Sequence, residues 1–415
     1  MVRLILADPG LQGAAGHHLN YIMGLAEAAQ LRGMPVLVLA HSDFAGGMPS
    51  DAARLMPTFN ARYQTSGDGG PLRATLLGAF SRLPPGIADN ATAMLRRVRR
   101  IQRGGQADSF GRELADALRA LQSTGSDMLV LPSVSAANLA GLADALAADT
   151  VGRICIVLRR LPEEMDASDP GPSPIGTILR RLGDHFGPGL HLFADTRPLA
   201  DLWRGLLGIP VTAVPLPVTV SEGSEGRERP AGEPPNLVFA GGGRSEKGYC
   251  LLPAIVAAFQ DRARFTIQSG PIDRRSDPAV QRAHRALKAR IGPRVQVIER
   301  ELVPQDYLGL LRDADLMLLP YDPDAYGPRS SGILAETRTL AIPAVVPRGC
   351  WMEHEAGPAQ AFAFDFPDGF AASVADALAQ LGPATEAMWA AAPAWRAIHN
   401  PETLLDVLQG LRPGL

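Results

Sequence analysis

Residues Tyr326–Gly349, YGPRSSGILAETRTLAIPAVVPRG, read in order as a loop, a helix and a buried strand. Small polar residues Ser330, Ser331 and Gly332 open the helix, and Glu336 sits one turn inside it. The first turn of a helix carries backbone N–H groups without intrahelical partners and a partial positive charge, which together suit a phosphate. Gly332 lets a ligand come close to the backbone. Glu336 follows Gly332 by four residues, so it projects from the same face about 6 Å further along the axis. That is roughly the step from a nucleotide's diphosphate to its ribose, and a carboxylate there suits a pair of ribose hydroxyls, as the acidic residue does in dinucleotide folds. A capped surface helix with an incidental glutamate has the same letters, so a second element is needed to decide.

That element lies some ninety residues upstream. The apolar run Leu237–Ala240 leads into Gly241, Gly242 and Gly243, then Arg244, then Lys247 and Gly248. The glycines free the backbone to bend and to approach an anion. Arg244 and Lys247 add positive charge beside the start of a helix expected over Lys247–Phe259. No Gly-Lys-Ser/Thr follows at the spacing of a P-loop, and the third glycine is misplaced for the dinucleotide fingerprint. A glycine-rich turn with solvated charges is the alternative. Taken with Ser330–Glu336, the segment favours one shared diphosphate site.

Around these motifs strands and helices alternate. Strands are expected at Asn236–Ala240, Arg264–Gln268, Val295–Ile298, Asp315–Leu319 and Pro343–Val346, with helices at Lys247–Phe259, Pro278–Ile291, Pro304–Arg312 and Ser330–Leu340. This predicts a doubly wound α/β domain over residues 236–384. Residues 218–235, VTVSEGSEGRERPAGEPP, read as a linker. Before it, apolar runs at Val2–Ala7, Pro35–Ala40, Met128–Leu131, Ile154–Leu158, His191–Ala194 and Val211–Val214 alternate with amphipathic stretches such as His18–Leu31, Gly111–Leu121 and Ala136–Ala147. Continuous apolar strands separated by helices predict a second parallel sheet covered on both faces, over residues 1–217. Residues 41–110, rich in Gly, Pro and Arg, read as loops and helices decorating that domain. The helical pattern of residues 385–415 is expected to pack back on the first domain. Two such domains facing each other leave a cleft, and ligands of open parallel sheets bind at the carboxyl ends of the strands.

Bulk properties narrow the function. At 415 residues the chain is too long for one ordinary core. A net charge of −3 gives no electrostatic case for a nucleic-acid partner. Cys155, Cys250 and Cys350 are too widely spaced for a metal or redox motif and point to a reducing cytoplasm. No apolar run approaches the ~20 residues that span a bilayer, and MVRLILADPG reads as a first strand rather than a signal peptide. The abundance of Ala, Arg, Gly and Pro is that of products of GC-rich bacterial genomes.

AGGGRSEKG and YGPRSSGILAETRTLAIPAVV resemble the donor-binding half of group 1 (family 4-like) glycosyltransferases of the GT-B fold, and DADLMLLPYDP before them does too. The resemblance covers residues 236–349 and extends weakly to the first forty. It implies two Rossmann-like domains facing across a cleft, with a nucleotide-sugar held by the C-terminal one. It implies that Arg244 and Lys247 contact the donor diphosphate, that Glu336 holds the ribose, and that the turn through Tyr326, Arg329, Ser330, Ser331 and Gly332 meets the phosphates or the sugar. It implies a metal-independent hexosyl transfer to a glycan or lipid-linked acceptor, as in bacterial polysaccharide synthesis, with no cofactor beyond the donor substrate. Many members carry a glutamate eight residues before the ribose glutamate, where this chain has Pro328. That departure leaves open how the sugar is held and whether its anomeric configuration is retained. A nucleotide-sugar epimerase or hydrolase of the same fold, or a non-catalytic nucleotide-sugar-binding relative, stays open as well.

The first loop and helix, Asp8–Gly33, hold Gly10, Gly13 and Gly16, which keep the loop open, and then His17 and His18 at the helix start. The resemblance implies that this loop faces the cleft near the donor phosphates and the acceptor. One histidine is a candidate to bond the substrate, with His18 ahead; Asn20 and Tyr21 are weaker candidates. A capping or packing histidine is the alternative. Asp322-Pro-Asp324 spells D-x-D, which reads here as a turn rather than a metal site. Arg96, Arg97, Arg99, Arg100 and Arg103 crowd one helical stretch, as a solvated basic face or as a peripheral contact with anionic lipid at the inner membrane face. Arg159, Arg160, Ser133 and Ser135 end two strands of the first domain and are candidates to meet an acidic acceptor or the donor.

Overall fold

The computed structural model describes residues 2–12, 17–44, 51–60, 109–168, 173–219 and 232–415. Gly13, Gly16 and the arginines at 96, 97, 99, 100 and 103 lie outside them, as does most of the expected linker. The chain forms two compact units, Met1–Val214 with Leu405–Leu415, and Pro215–Leu404.

In the first unit the described residues form a parallel sheet of seven strands: β1 (Leu4–Asp8), β2 (Val36–His41), β3 (Arg54–Phe59), β4 (Met128–Leu131), β5 (Arg153–Leu158), β6 (Leu190–Ala194) and β7 (Val211–Ala213). Their order is β3-β2-β1-β4-β5-β6-β7. β1, β2 and β4 are buried at every position, as strands covered on both faces must be. β3 departs from the expectation of loops and helices over residues 41–110. Its sequence, RLMPTF, is mostly accessible and contains Pro57. A proline removes one ladder donor, so it is tolerated at a sheet edge, and β3 is that edge. The register with β2 shifts between Ala40 and His41, beside Pro57.

The chain's last residues join this unit. Arg153 donates from Nε to the Leu408 carbonyl at 2.6 Å, Arg32 pairs with Asp406 at 2.7 Å, and the Leu415 amide donates to Ala213.

The second unit holds β8 (Asn236–Phe239), β9 (Arg264–Gln268), β10 (Val295–Ile298), β11 (Leu316–Leu318), β12 (Ala344–Pro347) and the two-residue β13 (Ala363–Phe364). Their order, β10-β9-β8-β11-β12-β13, reverses direction between β8 and β11. The helix Leu381–Ile398 lies in this unit, so of residues 385–415, expected to return to the first domain, only those from Leu405 do so. Its Leu381, Ala384, Met388, Ala392 and Trp395 recur every three or four residues and are all buried within this unit, the first four in one apolar cluster and Trp395 in a second. Arg396 Nε donates to the Thr339 carbonyl at 2.8 Å and anchors its end.

The helix expected over Lys247–Phe259 is also divided. Two 3₁₀ turns, Ser245–Lys247 and Tyr249–Leu251, precede the α-helix Leu252–Phe259. Gly248, at φ +69°, ends the first turn, and a Cβ there would lie 1.7 Å from the Pro320 carbonyl oxygen. The chain after β8 is therefore seated against the chain after β11.

Candidate functional site

The site is built at the β8/β11 reversal, where open parallel sheets hold their ligands. Gly241 and Gly242 leave β8 with φ of +99° and +88°, conformations that disfavour side chains. A Cβ on Gly241 would stand 2.4 Å from Ile333 Cδ1 and 2.7 Å from Lys247 Nζ. The glycine thus lets the loop, the lysine and the first turn of the helix Gly332–Thr339 meet at one point. Gly243 donates its N–H to the Ser269 carbonyl at 2.7 Å, and a Cβ there would strike Ile272. Gln268, which the sequence reading passed over, ties this loop to the next. Its Oε1 accepts from Gly241 N at 2.8 Å and its Nε2 donates to the Arg300 carbonyl at 3.2 Å.

Lys247 is buried, in contrast to a solvated charge at an α-helix N-terminus. Its Nζ donates to the Gly241 carbonyl at 2.7 Å and lies 5.4 Å from the centre of the Tyr321 ring. Burial pulls its pKa down to about 7; Arg244 and Arg329 act in the same sense, while Glu246 and Glu336 oppose it. Arg244 is different: its side chain is 56% exposed, and its Nε lies 3.3 Å from Glu246. One cation is thus fixed and dehydrated, the other open to solvent.

The turn before Gly332 divides its labour. Ser331 caps the helix, its Oγ accepting from Leu334 N at 3.2 Å. The cap uses one acceptor lone pair of the hydroxyl and leaves its O–H able to donate. Tyr326 is buried against Tyr321, with ring centres 4.6 Å apart. The Arg329 guanidinium lies over Tyr326 at 4.8 Å. Ser330 and Pro328 are partly exposed beside it, and Gly332 is exposed at the first helical position. Asp322 caps the short helix Pro323–Tyr326, accepting from Asp324 N at 2.9 Å, so the D-x-D is a turn. Among the described residues no group of three or more His, Cys, Asp or Glu is arranged to hold a metal ion.

One turn into the helix, Glu336 Oε2 accepts a 2.6 Å hydrogen bond from Tyr307 Oη. Burial raises the Glu336 carboxyl to about 7, against the opposing pull of Tyr307 and Lys247. Burial also pushes the Tyr307 phenol up, and the neighbouring carboxylate adds to it. The phenol therefore stays a donor. Tyr307 sits in the first turn of Pro304–Arg312, 29 residues from Glu336, and no local spacing signals the contact.

In the first unit, Asp8 ends β1 almost fully buried, and its Oδ2 lies 2.8 Å from Nδ1 of His18. Its Oδ1 accepts from Gly10 N at 2.8 Å. The His18 side chain keeps 29% of its surface exposed. His17 opens the helix His17–Leu31, and Asn20 is exposed on it. Tyr21 is buried under the Arg159 guanidinium, 4.3 Å from the ring centre, and Arg159 Nε lies 3.4 Å from Asp195. The Arg160 carbonyl accepts from Trp203 Nε1 at 3.1 Å. Ser133 is buried, and Ser135 forms a capping box with Asn138, so Ser135 serves the helix it begins.

No family model and no curated protein sequence matches the chain. Solved structures do match it in fold. A sucrose-phosphate synthase from Thermosynechococcus elongatus shares 13% identity at a TM-score of 0.63, over 99% of this chain and 98% of that one. An alpha,alpha-trehalose-phosphate synthase (UDP-forming) from Burkholderia vietnamiensis shares 14% at 0.63, over 99% and 100%. HepE of Anabaena, in complex with UDP, shares 12% at 0.59, over 99% of each chain. The fold is thus the GT-B fold of glycosyltransferases, two doubly wound α/β units.

Proposed function

We propose that the chain is a glycosyltransferase that moves a sugar from a nucleoside-diphosphate donor to an acceptor hydroxyl. The observation that carries this reading is the meeting at Gly241 of a positive-φ backbone, a buried lysine and a helix N-terminus, with Glu336 one turn away. In the reaction the bond from the anomeric carbon to the diphosphate oxygen breaks as the bond to the acceptor oxygen forms, and the acceptor's hydroxyl proton passes to His18 or to an oxygen of the departing diphosphate. The diphosphate gains charge as it leaves. Lys247, Arg244 and the first-turn N–H groups at Gly332 and Ile333 stabilise that charge in a site already ordered to receive it. An arriving diphosphate favours the protonated lysine, which burial alone disfavours. Glu336 takes the ribose hydroxyls. His18, oriented by Asp8, is assigned to the acceptor side, and the loop through Gly13, Gly16 and His17 to the donor phosphates. We assign the acceptor to glycans or lipid-linked glycans of a bacterial cytoplasm.

UDP bound to HepE, and the UDP-forming activity in the name of the Burkholderia synthase, make UDP-sugars the first donors to test. A thermal-shift screen of UDP, GDP, ADP and their sugars is expected to give one strongly stabilising nucleotide, since a ligand bound only by the folded state raises its stability by mass action. Arg244→Ala and Lys247→Ala should then lose transfer while remaining folded; normal transfer in both variants removes the assignment. Donor consumed without any acceptor would mark a hydrolase or epimerase. Binding without turnover under every acceptor would mark a non-catalytic nucleotide-sugar-binding protein.

A further inference from the structure

The geometry points to Tyr307 as a positioning residue that makes the Glu336 carboxylate a reader of ribose hydroxyls, so that the site selects ribonucleoside over deoxyribonucleoside diphosphates. This rests on the nucleotide reading above and adds to it a residue and a selectivity. The two side chains come from different helices, Pro304–Arg312 after β10 and Gly332–Thr339 after β11. They meet at 2.6 Å through Tyr307 Oη and Glu336 Oε2.

A carboxylate offers about four lone-pair directions on two oxygens. The phenol occupies one on Oε2 and thereby stops rotation of the group. Oε1 and the second lone pair of Oε2 then hold a fixed direction, which is what a vicinal pair of hydroxyl donors requires. Oriented acceptors of this kind discriminate strongly. When a site is shaped for a hydroxyl, an analogue lacking it leaves a dehydrated polar group unpaired. The same helix brings Ile333 against Gly241, so the distance from phosphate loop to carboxylate is set by rigid elements at both ends. Tyr307 adds the remaining constraint, the torsion of the glutamate side chain.

The test compares UDP, 2′-deoxy-UDP and 3′-deoxy-UDP by calorimetry on wild-type protein, Tyr307→Phe, Glu336→Gln and the double variant, with the ADP and GDP series run alongside. Phenylalanine keeps the ring, and a thermal melt checks that the variant is folded. A hydrogen bond to a charged group is worth about 10- to 100-fold in binding. Wild-type protein should therefore prefer the ribonucleotide by about that factor. Tyr307→Phe should weaken the ribonucleotide about 10-fold while changing at least one deoxy analogue less than about 3-fold. In the Glu336→Gln background the tyrosine substitution should have little further effect. Equal losses for ribo and both deoxy ligands in a folded Tyr307→Phe protein would show that the tyrosine only packs, and would overturn the inference. If no nucleoside diphosphate binds wild-type protein, the nucleotide reading itself fails and this inference falls with it.

Discussion

Nζ of Lys247 hydrogen-bonds at 2.7 Å to the carbonyl of Gly241, the residue whose missing Cβ makes room for that ammonium. The loop thus holds its own cation in place before any ligand arrives. Such an arrangement needs no reorganisation when charge develops on a leaving group, which is the physical basis of electrostatic preorganisation.

Removing the ammonium separates catalysis from stability. Lys247→Met should lower turnover by roughly 10²-fold and leave the ligand-free protein at pH 7 as stable as before or more so, because a dehydrated charge is replaced by an apolar chain of similar length. Arg244→Ala should also lose activity, with stability changed by no more than about 0.5 kcal/mol, since its side chain is largely in solvent. Urea denaturation and a donor-turnover assay on the same preparations check both.

The pH dependence of stability follows from the same pair. Lys247 titrates near 7 in the folded chain against an ordinary 10.5. Between those values the unfolded chain holds more protons at this position, so the lysine makes stability rise as pH increases from about 7 to 10.5. Glu336 titrates near 7 against an ordinary 4.5, so between them the folded chain holds more protons and stability falls as pH rises. The two contributions together place a dip near neutral pH in the ligand-free protein. Denaturation midpoints from pH 5 to 10 should show it. Lys247→Met should remove the upper limb and Glu336→Gln the lower. A flat profile across both windows in wild-type protein contradicts the burial of this pair.

Gly241→Ala tests the backbone. At φ +99° with Ile333 Cδ1 2.4 Å from the added methyl, the substitution meets strain and collision together. A loss of about 1–3 kcal/mol is expected. Measured against Ile333→Ala alone, the glycine substitution should then cost less but not nothing, because the φ strain and the Lys247 Nζ contact at 2.7 Å stay in place. No cost in that background would mean the collision with Ile333 alone mattered.

Asp8→Asn keeps an acceptor for Gly10 N but removes the negative charge facing His18. If His18 handles the acceptor's proton, turnover should fall by at least about 10², while nucleotide affinity, proposed to rest mainly on Arg244, Lys247 and Glu336, stays nearly unchanged. Calorimetry beside a transfer assay distinguishes this from loss of fold, which would reduce both.

Much of this was legible in the letters. The buried strands declared themselves as apolar runs because burial on both faces leaves no polar alternation. The place of Ser331 at the helix start followed from its small polar side chain, that of Glu336 from helix periodicity, and the bend after β8 from its three glycines. β3 was not legible, because RLMPTF is short, partly exposed and broken by Pro57, so neither run nor alternation marks it. Lys247 reads as a solvated charge until Tyr321 and Gly241 are seen to enclose it. Tyr307 and Gln268 were invisible for a related reason: each acts on a residue 27 or more positions away, beyond the reach of any helical or strand period.

The chain's letters alone determined local things: which segments are buried, where helices start, which backbone positions tolerate left-handed torsion. Tertiary structure decided which of those local features share one small volume, which charges lose their water, and which hydroxyl holds which carboxylate. The division has a physical cause. Propensity and periodicity act over a few residues, whereas desolvation and hydrogen-bond partnership depend on whatever the folded chain brings alongside.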